Sequence, residues 1–325
     1  MRLVDAISGH LFTLAPVVQE ALRPAGPLPG KPFEAIVHDD KVGDVRVTGF
    51  LSALREGAPL LVIVHGLGGS VASPYMGRLA RLAHREGLDT LLLNLRGADR
   101  SGEDIYHAGL TADLDAALAS PALRDYRSIV ILGCSMGGHM VLRWGFLPSD
   151  GRVRAIGSLC APLDLKQGAR DIDAPERVVY RKHLLKGLKE IYASAHARKR
   201  VSTALDRVNA VRTIRAWDEL AVVPRFGFDS AEHYWHETEV APHLSRLAIP
   251  TRVVAAKHDP MVLARALAKY LSALPSHVHV DWVDGGHLGF PWLSRAEADL
   301  VHWLGERARE GENRKGAKDA KHAKP

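Results

Sequence analysis

The stretch "RSIVILGCSMGGHMVLRW", residues 127–144, decides how the chain is read. Its first half is a continuous apolar run, the pattern of a strand buried on both faces. Its second half, "GGHMVLRW", has helical character. Between them Gly133-Cys134-Ser135-Met136-Gly137 matches G-x-S-x-G, a nucleophile elbow in which a strand turns at once into a helix. Such a turn forces the serine into an unfavourable backbone conformation and demands small neighbours. Gly133, Gly137 and Gly138 meet that demand. The helix start also aims backbone N–H groups at the site.

Outward from this stretch, buried strands and helices alternate. "PLLVIVHG", "DTLLLNLRG" and "VRAIGSLCAP" read as further strands, with helices in "MGRLARLAHREG" and "TADLDAALAS", the second capped by Thr111. "PFEAIVHDD" and "DVRVTGFLSAL" read as an antiparallel hairpin ahead of them. From residue 163 to 247 no buried strand is evident, and the segment is rich in Arg, Lys, His and aromatic residues. The alternation resumes with "PTRVVAAKHDP", helix "VLARALAKYLSAL", strand "HVHVDWVDGGH" and helix "RAEADLVHWLGERARE". The reading is an α/β fold with a mostly parallel central sheet, helices on both faces and a helical lid insertion. The expected organisation is an N-terminal helical segment over 1–30 packed on the domain, a core over 31–162 and 248–306, a lid over 163–247 and a disordered basic tail over 307–325.

Composition narrows the functional classes. The 325 residues are 46% hydrophobic, enough for a sizeable core, and the formal net charge is +6. The final "GENRKGAKDAKHAKP" has five Lys/Arg against two acids. The lid stretch Arg181–Arg200 has seven against one, with Leu184, Leu188 and Ile191 on one helical face. Such a basic amphipathic helix either packs its apolar side inward or lies on an anionic membrane, and the tail offers similar peripheral contact. No nucleic-acid-binding motif is apparent. The two cysteines, Cys134 and Cys160, exclude a disulfide scaffold and read as buried small hydrophobes. No signal peptide and no clean apolar run of membrane-spanning length is evident, so a cytoplasmic protein is expected. The oligomeric state is not legible.

The loop "HGLGGS", residues 65–70, follows the first parallel strand. In this architecture it supplies one oxyanion-binding N–H, and the residue after the nucleophile supplies the other. The candidates are the backbone N–H groups of Leu67 and Met136. His65 precedes the serine and reads as structural, and no Walker pattern follows the glycines. A serine nucleophile needs a base, and the base an orienting acid, in the order Ser, acid, His. Asp259 follows the strand "TRVVAA", and His287 follows "HVHVDWV". Asp164 is the alternative acid, with capping of the first lid helix as its other role. Asp284 reads as a turn residue and His258 as a loop histidine. Arg96 is expected to pair with a nearby acid. His233 and His236 lie one helical turn apart but lack further ligands for a metal, and no cofactor is implied.

These residues also resemble a known family. "HGLGGSVASPY" (65–75), "NLRG" (94–97), "YHAGLTADL" (106–114), "GCSMGGHMVLRW" (133–144), "LCAPLDL" (159–165), "FGFDSAEHYW" (226–235), "IPTRVVAAKHDP" (249–260) and "GGHLGF" (285–290) look like the YheT-like branch of the α/β-hydrolase superfamily. That branch comprises esterases and acyl-lipid hydrolases. The resemblance runs from about residue 31 to 306. It implies a triad of Ser135, Asp259 and His287, acting on a small-molecule or lipid-like acyl ester. His258 departs from the pattern, since relatives more often carry a second Asp there. Eukaryotic relatives often carry an N-terminal membrane anchor, and none is expected here. The same triad also serves acyl transfer and amide or C–C bond hydrolysis, and a non-catalytic hydrolase-like binding protein is the alternative of another class.

Overall fold

A computed structural model describes residues 8–16, 26, 28–272 and 274–322, with backbone alone for 311–322. Eight strands form one sheet in the order β1-β2-β4-β3-β5-β6-β7-β8. They are β1 (Lys31–Asp39), β2 (Gly43–Ser52), β3 (Leu60–Val64), β4 (Asp89–Leu93), β5 (Ile129–Cys134), β6 (Val153–Leu159), β7 (Thr251–Ala256) and β8 (Val278–Val283). The β1–β2 hairpin is antiparallel, and β2 joins β4 antiparallel; every other pairing is parallel. The continuous apolar runs are explained by this arrangement. Leu60, Val62 and Val64 of β3 serve one face of the sheet, Leu61 and Ile63 the other, and all five are buried.

Helices cover both faces. Helix α1 spans 8–16. Helix α2 (Pro74–Arg85) and the last helix, Ala296–His322, pack Met76, Leu79, Leu300 and Leu304 on one side. Helices α3 (Ala112–Ala119) and α4 (Met136–Trp144) pack Leu114, Leu118, Val141 and Trp144 on the other. Thr111 stands at the cap of α3, but its αR backbone leaves the hydroxyl without a capping bond, and its carbonyl accepts from Leu114 and Asp115 instead. The stretch read as one long helix after β7 is helical only over Ala264–Ala268, α11. The last helix, α12, continues to His322, through residues read as a disordered tail. Its Ala, Glu, Arg and Lys content favours helix, Ala308 is buried, and Arg309 donates to the Glu86 carbonyl. Residues 1–7 and 17–25 of the N-terminal segment lie outside the described residues.

Between β6 and β7 the described elements are all helical. They include α5 (Leu165–Asp173), α6 (Val178–Ala197), α7 (Leu205–Ala210), α8 (Ile214–Trp217), α9 (Val223–Phe226) and α10 (Ala231–Thr238). Helix α6 turns Leu185, Leu188, Ile191 and Tyr192 inward, so its apolar side is used in packing. A buried ion cluster ties this segment to the sheet. Arg96, after β4, bonds Asp113 (2.8 Å), Asp104 (3.2 Å) and Asp39 (2.9 Å). Arg225 of α9 reaches Asp104 (2.8 Å) and Asp39 (2.9 Å) from the other side. Arg96 thus pairs with acids, as the sequence implies.

Arg225→Met should leave Asp104 half-compensated in a fully buried place. The expected loss is about 3–5 kcal/mol, read by denaturant unfolding.

Candidate active site

Ser135 sits where β5 ends and α4 begins, with φ +52° and ψ −121°. Its amide donates to the Leu159 carbonyl (2.8 Å), so β-type bonding holds the chain up to the turn itself. The neighbouring glycines are steric requirements. A Cβ on Gly137 would lie 2.5 Å from the carbonyl oxygens of Val64 and His65, and one on Gly133 would lie 2.2 Å from the Gly137 oxygen. Only bare backbone lets α4 begin this close to β3 and β5.

The acid and histidine arrive on the loops after β7 and β8. His287 Nδ1 lies 2.8 Å from Asp259 Oδ2, and Nε2 lies 3.0 Å from Ser135 Oγ. Asp259 Oδ1 accepts the N–H groups of Met261 and Val262, each at 2.8 Å, which fixes the carboxylate plane. Oδ2 is thereby left to accept a hydrogen bond from Nδ1–H, which presents Nε2 to the serine. Asp164 is engaged elsewhere: it caps α5 through the Gln167 N–H and accepts the Tyr270 hydroxyl. Asp284 pairs with Lys257 at the surface, and His258 lies 3.8 Å from Asp284.

The loop at residues 65–70 explains which N–H remains for a ligand. Tyr75 Oη accepts from Gly66 N–H (2.8 Å), Tyr106 Oη accepts from Gly68 N–H (2.7 Å), and Gly69 N–H bonds the Gly66 carbonyl. Among the described residues nothing accepts from Leu67 N–H or Met136 N–H, and both residues line the cleft at Ser135. His65 is buried and holds the loop: Nδ1 lies 2.8 Å from the Gly66 carbonyl, and Nε2 accepts Leu95 N–H. Burial lowers its pKa to about 4, so it stays neutral.

Helix α1 is a part of the site that the sequence did not announce. Thr13 Oγ1 accepts the His287 amide (2.8 Å) while donating to the Gly9 carbonyl (2.8 Å). His10 bonds Tyr180 of α6. A Cβ on Gly286 would fall 2.2 Å from the Gly9 oxygen and 2.4 Å from Thr13 Oγ1. The glycines of "GGHLGF" were the available signal, since they mark a loop against which another backbone presses.

The cleft above Ser135 encloses about 680 Å³, including the part open to solvent. Its walls are mostly apolar: Leu165, Ala169, Ile172 and Ile214 of the helical segment face Met261 and Val262. One acid interrupts them. Asp218 is buried beside α8, and Trp235 Nε1 donates to its Oδ2 (2.8 Å). Burial pushes its pKa up to about 7, and the charges of Asp173 and Glu219 add to the rise.

Residues 59–292 match the sequence profile of the alpha/beta hydrolase fold family. The protein named "Putative esterase YheT" of Escherichia coli is 31% identical over 277 residues, which is 76% of each chain. "Medium-chain fatty acid ethyl ester synthase/esterase 2" of Saccharomyces cerevisiae is 25% identical over 286 residues, 77% of this chain and 63% of the relative. Among solved structures, the esterase Pf2001 of Pyrococcus furiosus superposes with a TM-score of 0.55 at 14% identity, covering 87% of this chain and 93% of its own. The chain belongs to the α/β-hydrolase fold family, in the branch of YheT.

Thr13→Val should cost about 1–3 kcal/mol in thermal unfolding, because it strands the His287 amide without an acceptor. Asp218 gives a pH signature. Its carboxyl titrates at 3.8 in the ordinary state and at about 7 when folded. Between those values the folded chain holds a proton that the unfolded chain releases, so stability falls as pH rises through the window. Asp218→Asn lacks this titration. Melting curves from about pH 4 to pH 8 should show the variant gaining on wild type by a few kcal/mol, as an order of magnitude.

Proposed function

We propose that this α/β-hydrolase cleaves carboxylic esters through a Ser135–His287–Asp259 triad and an acyl-enzyme intermediate. The observation that carries the reading is the alignment at His287, with one ring nitrogen 3.0 Å from Ser135 Oγ and the other 2.8 Å from Asp259. The names of the relatives point the same way.

In this reading His287 Nε2 takes the Ser135 proton as Oγ attacks the acyl carbon. The carbonyl oxygen gains charge and is met by the Leu67 and Met136 N–H groups, which need no reorganisation because the loop and helix already hold them. Each such donor is worth roughly 3 kcal/mol of barrier. The imidazolium, steadied by Asp259, then protonates the leaving alcohol. Water enters, gives a proton to His287 and attacks the acyl group. The tetrahedral intermediate collapses, releasing the acid and restoring Ser135.

Residues 163–247 act as a lid in this reading. They supply much of the apolar wall, which suits the hydrocarbon arm of a small-molecule or lipid-like ester of short or medium acyl length. Asp218 and Asp164 lie on this segment but outside the proton path.

A fluorophosphonate probe should label the wild type at Ser135, found by peptide mass spectrometry, and leave Ser135→Ala unlabelled. Ser135→Ala should lose about 10⁴-fold or more in kcat on p-nitrophenyl butanoate, and Asp259→Asn a comparable factor. Wild-type protein that resists the probe and is inert on p-nitrophenyl esters and acylglycerols would sink the reading in favour of a binding protein.

A further inference from the structure

The helical segment over the cleft contains a local irregularity. Between α8 and α9 the chain runs through a π-helical turn, Asp218–Val222, in which Val223 N–H bonds the Asp218 carbonyl. Turns of this kind are rare, and they concentrate at functional sites because the extra residue re-aims a side chain. Here the turn begins at Asp218, and that side chain joins Ser135 and His287 in lining one cleft.

Asp218 is only 7% exposed, yet its carboxyl is not consumed by the fold. Oδ2 is held by Trp235, Oδ1 accepts no hydrogen bond from the described residues, and Asp218 is among the residues that line the cleft. The charged groups around it are otherwise engaged. Asp173 accepts the Ile214 and Arg215 amides, Glu219 accepts the Ala231 amide, and Arg215 pairs with Glu232. Among the described residues Asp218 has no salt bridge. A buried carboxyl without a counterion costs stability, and the one bond from Trp235 leaves Oδ1 uncompensated. Such a group is explained when a ligand completes it.

We propose that Asp218 forms a polar subsite for a hydroxyl group on the hydrocarbon arm of the ester substrate. This rests on the ester-hydrolase reading of Ser135 and deepens it. The surrounding wall of Leu165, Ile172, Ile214 and Met261 takes the methylene chain, and Asp218 receives the one polar group on it. A hydroxyl suits the site better than an ammonium. It donates to the carboxylate and accepts from the carboxylic acid, so it is bound in either protonation state. An ammonium needs the ionised form, which burial disfavours. A plain alkyl arm would leave Oδ1 desolvated and unpaired, and sites built around a polar partner discriminate strongly against the analogue lacking it.

The test is a panel of matched ester pairs, plain and hydroxylated, with straight-chain acyl arms of increasing length and, in parallel, hydroxyalkyl and alkyl esters of butanoic acid. The readout is the ratio of kcat/KM within each pair, which a change in folded fraction does not move. Wild type should favour at least one hydroxylated member by about tenfold. Asp218→Leu should abolish or reverse that preference and gain on the plain ester. Asp218→Asn, which keeps an acceptor for Trp235, should retain part of it. No preference in wild type, or an unchanged ratio in Asp218→Leu, overturns the subsite. Calorimetric binding of the same pairs to Ser135→Ala separates the two readings. Preference in binding without turnover by wild type counts against the hydrolase and supports the subsite, and equal binding within every pair counts against the subsite alone.

Discussion

The central sheet and helix α4 together dictate the backbone of Ser135. A φ of +52° is a conformation that a serine adopts only under compulsion, at a cost of about 1–3 kcal/mol. The compulsion comes from both sides. β5 is paired along its length with β3 and β6, and α4 starts one residue later with Gly137 pressed against the end of β3. Two rigid elements leave a single residue in which to reverse direction, and Oγ is pushed clear of both. The same crowding brings the loop after β3 beside the start of α4, so Leu67 and Met136 line the same cleft as Ser135.

The histidine is held by a different means. Its loop follows β8 at the edge of the sheet, where no further strand restrains it. Restraint comes from outside: the Gly286 amide bonds the Gly289 carbonyl, Thr13 of α1 takes the His287 amide, and Asp259 takes the ring. Serine is positioned by covalent geometry at the sheet centre, histidine by hydrogen bonds gathered from a distant part of the chain.

That contrast explains what could be read from the sequence. The elbow, the strands and the helices beside it are local, so "SIVILGCSMGGHM" announces them through periodicity and small residues. The order Ser135, Asp259, His287 follows from strand ends, again local signals, and the structure brings the three side chains together. Arg96, His65 and Asp164 also take the structural places their neighbours imply. What stayed hidden depends on contacts distant in sequence. Thr13 lies 274 residues from His287, and the pairing of Tyr75 and Tyr106 with the loop after β3 has no sequence period. The length of α12 is not legible in the sequence, because a tail of Lys, Glu and Ala suits both a solvated coil and a helix. Its packed start, with Leu300, Leu304 and Ala308 buried, tips the balance.

Two residues lining the cleft depart from local rules of backbone and burial. Ser135 holds a backbone angle that its own chemistry disfavours, and Asp218 holds a carboxyl where burial disfavours its charge. Near α9 the buried charges are compensated by ion pairs, with Arg96 and Arg225 among Asp39, Asp104 and Asp113, and buried Asp89 is satisfied at both oxygens by the Leu54 amide and the Tyr126 hydroxyl. A fold that neutralises its buried acids so fully near α9 had the means to do so beside α8. Departures from local consistency gather where function requires them. One departure sits where the sheet meets α4 and the other where the π-helical turn begins, and both residues line the same cleft. That convergence is the strongest physical reason to treat Asp218 as part of the binding surface rather than as a tolerated defect of the helical segment.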